Sequence, residues 1–145
     1  MPLTSPAIRF DAVSKRFGKA QVLRSVSFEV PDATAFALAG ENGAGKTTLI
    51  KGLLDFCHPE GGSITIGGHA SREPQSRRSI ALLPERFTPP YYLTGADFLR
   101  YRLTLQGLAY DAQAVAAMLA ALDLDPAALK REVRSYSKGM TQTLG

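Results

Sequence analysis

The sequence of 145 residues has the length of one ordinary domain, and its 45% apolar and 21% charged residues are the composition of a folded globular chain, not a disordered one. A formal charge of +4 and an isoelectric point near 9.4 are mildly basic, as a solvated surface can be, and are compatible with nucleic acid, an anionic membrane surface or a polyphosphate ligand. The cations are scattered without a run of five or six, so no nucleic-acid partner is expected. Cys57 is the only cysteine, which excludes an intramolecular disulfide framework, and with two histidines it excludes a zinc site of the usual spacing. The N-terminus lacks a basic start followed by an apolar run, and no apolar stretch approaches the roughly 20 residues needed to span a bilayer. A cytoplasmic chain is expected, with access to a membrane only through a partner.

In chain order, Ile8-Arg9-Phe10 and Val22 through Val30 alternate apolar and polar positions, the period of half-buried strands, with turns at Phe17-Gly18-Lys19 and Pro31-Asp32. Ala35-Phe36-Ala37-Leu38-Ala39 is a continuous apolar run stopping at Gly40 and predicts a strand buried on both faces. Leu49, Ile50, Leu53 and Leu54 predict a helix from Lys46 to about Cys57, ahead of Pro59 and Gly61-Gly62. Ser63 through Ile66 predicts a short strand closed by Gly67-Gly68, and Ser79 through Leu83 another buried strand ended by Pro84. Thr94 with Asp97 predicts a capped helix start, followed by Phe98, Tyr101 and Leu105 on one face. Val115, Met118, Leu119 and Leu122 predict a second amphipathic helix between Asp111 and Asp125-Pro126. The chain therefore reads as a strand-rich part over about 1–84 and a helical part over about 94–135, with the boundary between 84 and 95.

The loop Gly40-Glu41-Asn42-Gly43-Ala44-Gly45-Lys46-Thr47 matches the P-loop pattern in full, after a predicted strand and at the start of a helix. Its glycines allow positive dihedrals and a close approach of the backbone. Successive N–H groups then form an anion nest, reinforced by the positive end of the helix dipole. Lys46 supplies a mobile charge for the outer phosphates, and the Thr47 hydroxyl is a magnesium ligand. ATP with magnesium is the expected ligand.

Three more stretches accompany this loop, whose longer form runs through Thr48. They are Val13-Ser14-Lys15-Arg16-Phe17-Gly18, Ile80-Ala81-Leu82-Leu83-Pro84-Glu85 and Val133-Arg134-Ser135-Tyr136-Ser137-Lys138-Gly139-Met140-Thr141-Gln142. With them the chain resembles, along its whole length, the ATPase subunit of the ATP-binding cassette (ABC) family, most closely subunits that drive membrane transporters of the exporter type. The resemblance implies an α/β P-loop NTPase core with an N-terminal antiparallel β subdomain and a helical subdomain, the signature helix opening at 136–145. It implies that Phe17 stacks on adenine with Val22 flanking it, that Gly40, Asn42, Gly43, Ala44, Gly45, Lys46, Thr47 and Thr48 hold the phosphates, and that Ser137 and Gly139 reach the γ-phosphate held by a second cassette. Glu85 stands where the family usually has glutamine, which implies a carboxylate on magnesium and makes Glu85, with Lys46, a catalytic candidate. Lys138, Met140 and Thr143 depart from the commonest signature. Leu93 through Leu99 resembles the opening of the family's helical subdomain, beside a groove that receives a helix of a membrane-spanning subunit.

The family's next elements are a strand ending in a carboxylate pair and a γ-phosphate-sensing histidine. Asp55, Asp123, Asp125, His58 and His69 stand at the wrong places for either, the histidines reading as loop residues. The resemblance thus implies a chain covering the N-terminal part of the cassette, incomplete at its C-terminus, which binds nucleotide but does not turn it over efficiently alone. Alternatives are a cassette ATPase acting on ribosomes or DNA without a membrane partner, and a fragment that only binds nucleotide. A small P-loop kinase or GTPase leaves Ser137-Lys138-Gly139 unexplained.

Overall fold

The computed structural model describes residues 5–145. The chain divides into two compact units, Met1–Ala81 and Leu82–Gly145.

In the first unit, β1 (Ile8–Phe17), β2 (Ala20–Val30), β3 (Gly61–Ile66) and β4 (His69–Ala70) form one antiparallel sheet in the order β2-β1-β3-β4. Strand β1 runs well beyond the predicted Ile8–Phe10, because its second half pairs with β2 down to Phe17↔Ala20 around the Gly18-Lys19 turn. The β1–β2 pairing is interrupted by register shifts between Phe10 and Arg16. There Ala12 and Ser25 take positive φ, and two hydroxyls replace ladder acceptors: Ala12 N–H donates to Ser27 Oγ at 2.8 Å, and Ser25 N–H to Ser14 Oγ at 3.0 Å. These bulges hold the backbone donors satisfied while the strand bends.

Phe10, Val13, Leu23 and Ile64 from the sheet bury against Leu49 of α1 (Lys46–Leu53) to make the core of this unit. Helix α1 starts where the sequence predicts and ends about a turn earlier than Cys57. Asp55 turns into the left-handed region, and the N–H groups of Phe56 and Cys57 both donate to Lys51 O, closing the helix. Asp55 then pairs with Arg77 at 3.4 Å.

Two predicted strands do not form. Ala35–Ala39 carries no strand and is exposed throughout. The run Ser79–Leu83 is likewise irregular, with Leu82 and Leu83 about half exposed. An apolar run becomes a strand only where neighbours supply ladder partners. Among the described residues the one sheet pairs only its own four strands. Phe36 instead stacks on Phe28, ring centroids 5.6 Å apart, and Phe28 stacks on Phe10 at 4.5 Å. His69, predicted in a loop, is part of β4 because that strand pairs with β3 at Ile66.

The second unit holds α2 (Gly95–Leu105), α3 (Ala112–Ala121) and α4 (Lys138–Leu144), joined by short 3-10 turns at Pro126–Lys130 and Val133–Ser135. The predicted capping at Thr94 is present: its Oγ1 accepts from Asp97 N–H at 3.2 Å and donates to Asp97 Oδ2 at 2.6 Å. Asp111 caps α3 through Gln113 and Ala114 N–H. The core gathers Phe98, Leu119, Leu124, Leu129, Val133 and Leu144. Only part of each predicted apolar stripe faces it. Tyr101, Leu105, Met118 and Leu122 are exposed, whereas Leu99 and Val115 pack against the core beside Phe98 and Leu119.

Gly62 sits opposite the β1 bulge at φ +80, where a Cβ would collide with the carbonyl oxygens of Asp11 and Ala12. Gly62→Ala is expected to cost about 1–3 kcal/mol, read as a lowered urea midpoint.

Candidate functional site

The loop that precedes α1 is set on the sheet by a contact that only glycine permits. Gly45 is buried at φ 92, and a Cβ there would lie 2.7 Å from Leu23 Cδ2 and 3.2 Å from Val22 O. This places the first turn of α1 against β2. Gly45 is the N-cap, its carbonyl accepting from Leu49 N–H at 2.9 Å. No side chain caps the helix and no acidic residue occupies its first turn, so its leading N–H groups and dipole stay available to an anion. Gly43, at φ 87, and the Ala44 N–H bond to Glu41 O at 3.2 Å turn the loop over on itself.

Val22, Asn42, Gly43, Gly45, Lys46, Thr47 and Thr48 together line a cavity of about 210 Å³. The Lys46 ammonium spans the loop, donating to Gly40 O at 2.6 Å and Glu41 O at 2.7 Å. The Thr47 side chain is exposed at the first turn, while Thr48 is half-buried. Backbone donors, one ammonium and two threonine hydroxyls on a helix N-terminus are the donor set for a polyphosphate and an associated hard cation. No carboxylate lines the cavity, and the described residues contain no cluster of three or more metal-ligating side chains, so the Thr47 and Thr48 hydroxyls are the side-chain oxygens that this lining offers beside the Asn42 amide. Phe17 ends β1 at the tip of the same hairpin, 51% exposed, outside the lining of this cavity.

The remaining candidates belong to the second unit. Ser137 is the N-cap of α4, its Oγ accepting from Met140 N–H at 3.2 Å, with Gly139 exposed in the following turn. Glu85 is exposed and lines a cavity of about 400 Å³ with Tyr91, Tyr136, Lys138 and Gln142. Glu85 and Thr47, joined at the sequence level as magnesium ligands, lie in different units.

Tyr136 is a residue that sequence reasoning passed over. Its hydroxyl donates to Ala128 O at 2.8 Å and crosses Gly95, where a Cβ would clash with it. Gly95 N–H donates to Arg131 O and Val133 N–H to Leu93 O, so the segment entering α4 is tied to the start of α2. The signal was the glycine at the first position of α2, which leaves room for a ring. Burial raises the Tyr136 pKa above its ordinary value of 10.0, outweighing the opposing pull of the Arg131 guanidinium.

The ABC transporter family model matches residues 23–145. The chain belongs to this family. An ABC transporter ATP-binding protein of Synechocystis is 35% identical over 131 residues, covering 88% of this chain and 37% of the relative. One from Bacillus subtilis is 29% identical over 147 residues, covering 99% and 46%. A solved ATP-binding subunit of an ABC transporter superposes with a TM-score of 0.82 at 29% identity, covering 95% of this chain and 59% of that one. The fold is thus that of ABC ATPase domains, and the chain spans less than half the length of these two curated relatives.

Two outcomes follow for the second unit. Ser137→Ala removes the α4 cap, at a cost of about 1 kcal/mol to that helix, and hydrogen exchange at the Met140 amide should accelerate. Because the folded-state pKa of Tyr136 is raised, its neutral form is the one the fold favours. That contribution is complete below the unfolded value and is lost as pH climbs through the folded one. The denaturation midpoint should fall above about pH 10, with a shallower fall in Tyr136→Phe.

Proposed function

We propose that this chain is the ATP-binding part of an ABC transporter ATPase, holding Mg-ATP on the loop Gly40–Thr47. The observation that carries this reading is the loop itself: an uncapped helix N-terminus seated on β2 by Gly45, with Lys46 across the loop and Thr47 beside it. In this reading the loop N–H groups take the β- and γ-phosphates, and the Lys46 ammonium leaves its two carbonyls for phosphate oxygens. The Thr47 hydroxyl would hold magnesium, which would supply charge to offset that of the phosphates. Phe17 stacks on the adenine with Val22 at its edge.

Ser137 and Gly139 serve a second copy. A hydroxyl and a helix N-terminus unobstructed at Gly139 suit the γ-phosphate held on the partner's loop. Glu85, in the second unit, is proposed as a carboxylate ligand of the metal. In the paired cassette, hydrolysis would drive a membrane-spanning subunit, with this chain on the cytoplasmic face. No helix among the described residues is long and apolar enough to cross a membrane.

Calorimetric titration with Mg-ATP is the test. The chain should bind, and Lys46→Ala should weaken binding roughly ten- to a hundredfold through loss of a charge-assisted contact. Equal affinities would contradict the assignment of the loop. With no carboxylate lining the loop cavity to take the proton of an attacking water, phosphate release by this chain alone should not exceed that of Lys46→Ala. A clear excess would show that it carries its own base.

A further inference from the structure

Beyond the phosphate loop, β1 contains a contact that bears on how a base would be held. The Lys15 ammonium stands 5.3 Å from the centroid of the Phe17 ring. Lys15 is half-buried and faces Leu23 across the hairpin, the residue on which Gly45 rests. Lys15 lines a narrow, largely apolar crevice with Val13, Leu23, Thr48 and Leu49, so it borders both the sheet and the first turns of α1. Long cationic side chains place their stems on apolar surface in this way while the charge stays at the rim. The rim here is the hairpin tip, where Phe17 is 51% exposed.

We propose that Lys15 is a positioning residue of the nucleotide site, holding Phe17 by a cation–π contact on one face so that the other face is presented to a purine base. This rests on the reading of Phe17 as the base platform. An exposed phenylalanine on a strand end samples several rotamers, and ordering it on binding costs affinity. A cation fixed over one face restricts that sampling before any ligand arrives. It also draws electron density from the ring, which favours stacking on an electron-rich purine. The stem ties this arrangement to Thr48 and Leu49, so the platform and the phosphate loop share one mounting. Lys15 acts through Phe17 and does not itself contact the phosphates in this scheme.

The contrast between a nucleotide and a bare polyphosphate isolates the effect. Lys15→Met keeps the stem and removes the charge. It should weaken Mg-ATP binding about two- to fivefold, the range of an exposed cation–π contact, and leave the affinity for inorganic tripolyphosphate unchanged. Lys15→Arg should restore ATP affinity. In a Phe17→Leu background, Lys15→Met should have no further effect on ATP. An equal loss for ATP and tripolyphosphate would overturn the proposal, since Lys15 would then be acting as a charge for the phosphates. Unchanged ATP affinity in Lys15→Met would overturn it as well. If neither ligand binds the unaltered chain, or Lys46→Ala binds both as well as the unaltered chain does, the phosphate-loop reading falls and takes this inference with it.

Discussion

The candidate site depends on the contact between Gly45 and strand β2. A helix N-terminus binds an anion only if its N–H groups are left unpaired and pointed at one place, and an isolated eight-residue helix would not hold itself together in water. Here Leu49 of α1 is buried in the sheet's core, and Gly45 lets the preceding loop lie directly on Leu23 and Val22. Packing therefore holds the helix in a place that leaves its polar end exposed. The lysine that spans the loop and the threonine beside it inherit their positions from that contact.

The sheet is built to the same end. The bulges near Ala12 and Ser25 bend β1 and β2 while serine hydroxyls take up the displaced N–H groups. Past the bulges the hairpin continues to Phe17, placing an exposed aromatic ring at its tip. The second unit solves a related problem by other means. There the short α4 is capped by Ser137, and the segment leading into it is tied down by the Tyr136 hydroxyl and the backbone bonds to the start of α2.

What the sequence made legible was local chemistry with a defined geometry. The start of α1 at Lys46 and the Thr94–Asp97 cap depend on residues within a few positions of one another, and both appear as predicted, whereas the strand expected to lead into the loop does not form. What it obscured depends on partners distant in the chain. Ala35–Ala39 has the composition of a buried strand, yet a strand needs neighbours, and here Phe36 finds an aromatic stack instead. Tyr101, Leu105, Met118 and Leu122 keep helical spacing, but spacing alone does not say which side of a helix a neighbour covers. The Tyr136 latch was hidden for the same reason, since it is a meeting of residues 128, 95 and 136.

The central claim is that the backbone between Gly43 and Thr47 is an anion nest fixed on β2. Amide chemical shifts followed by NMR during titration with inorganic tripolyphosphate address it residue by residue. The account predicts large, saturable shifts at Gly43, Gly45, Lys46 and Thr47, with the amides of α2 and α3 unmoved. Shifts spread evenly over the chain, or confined to the α4 N-terminus with the loop silent, would contradict it.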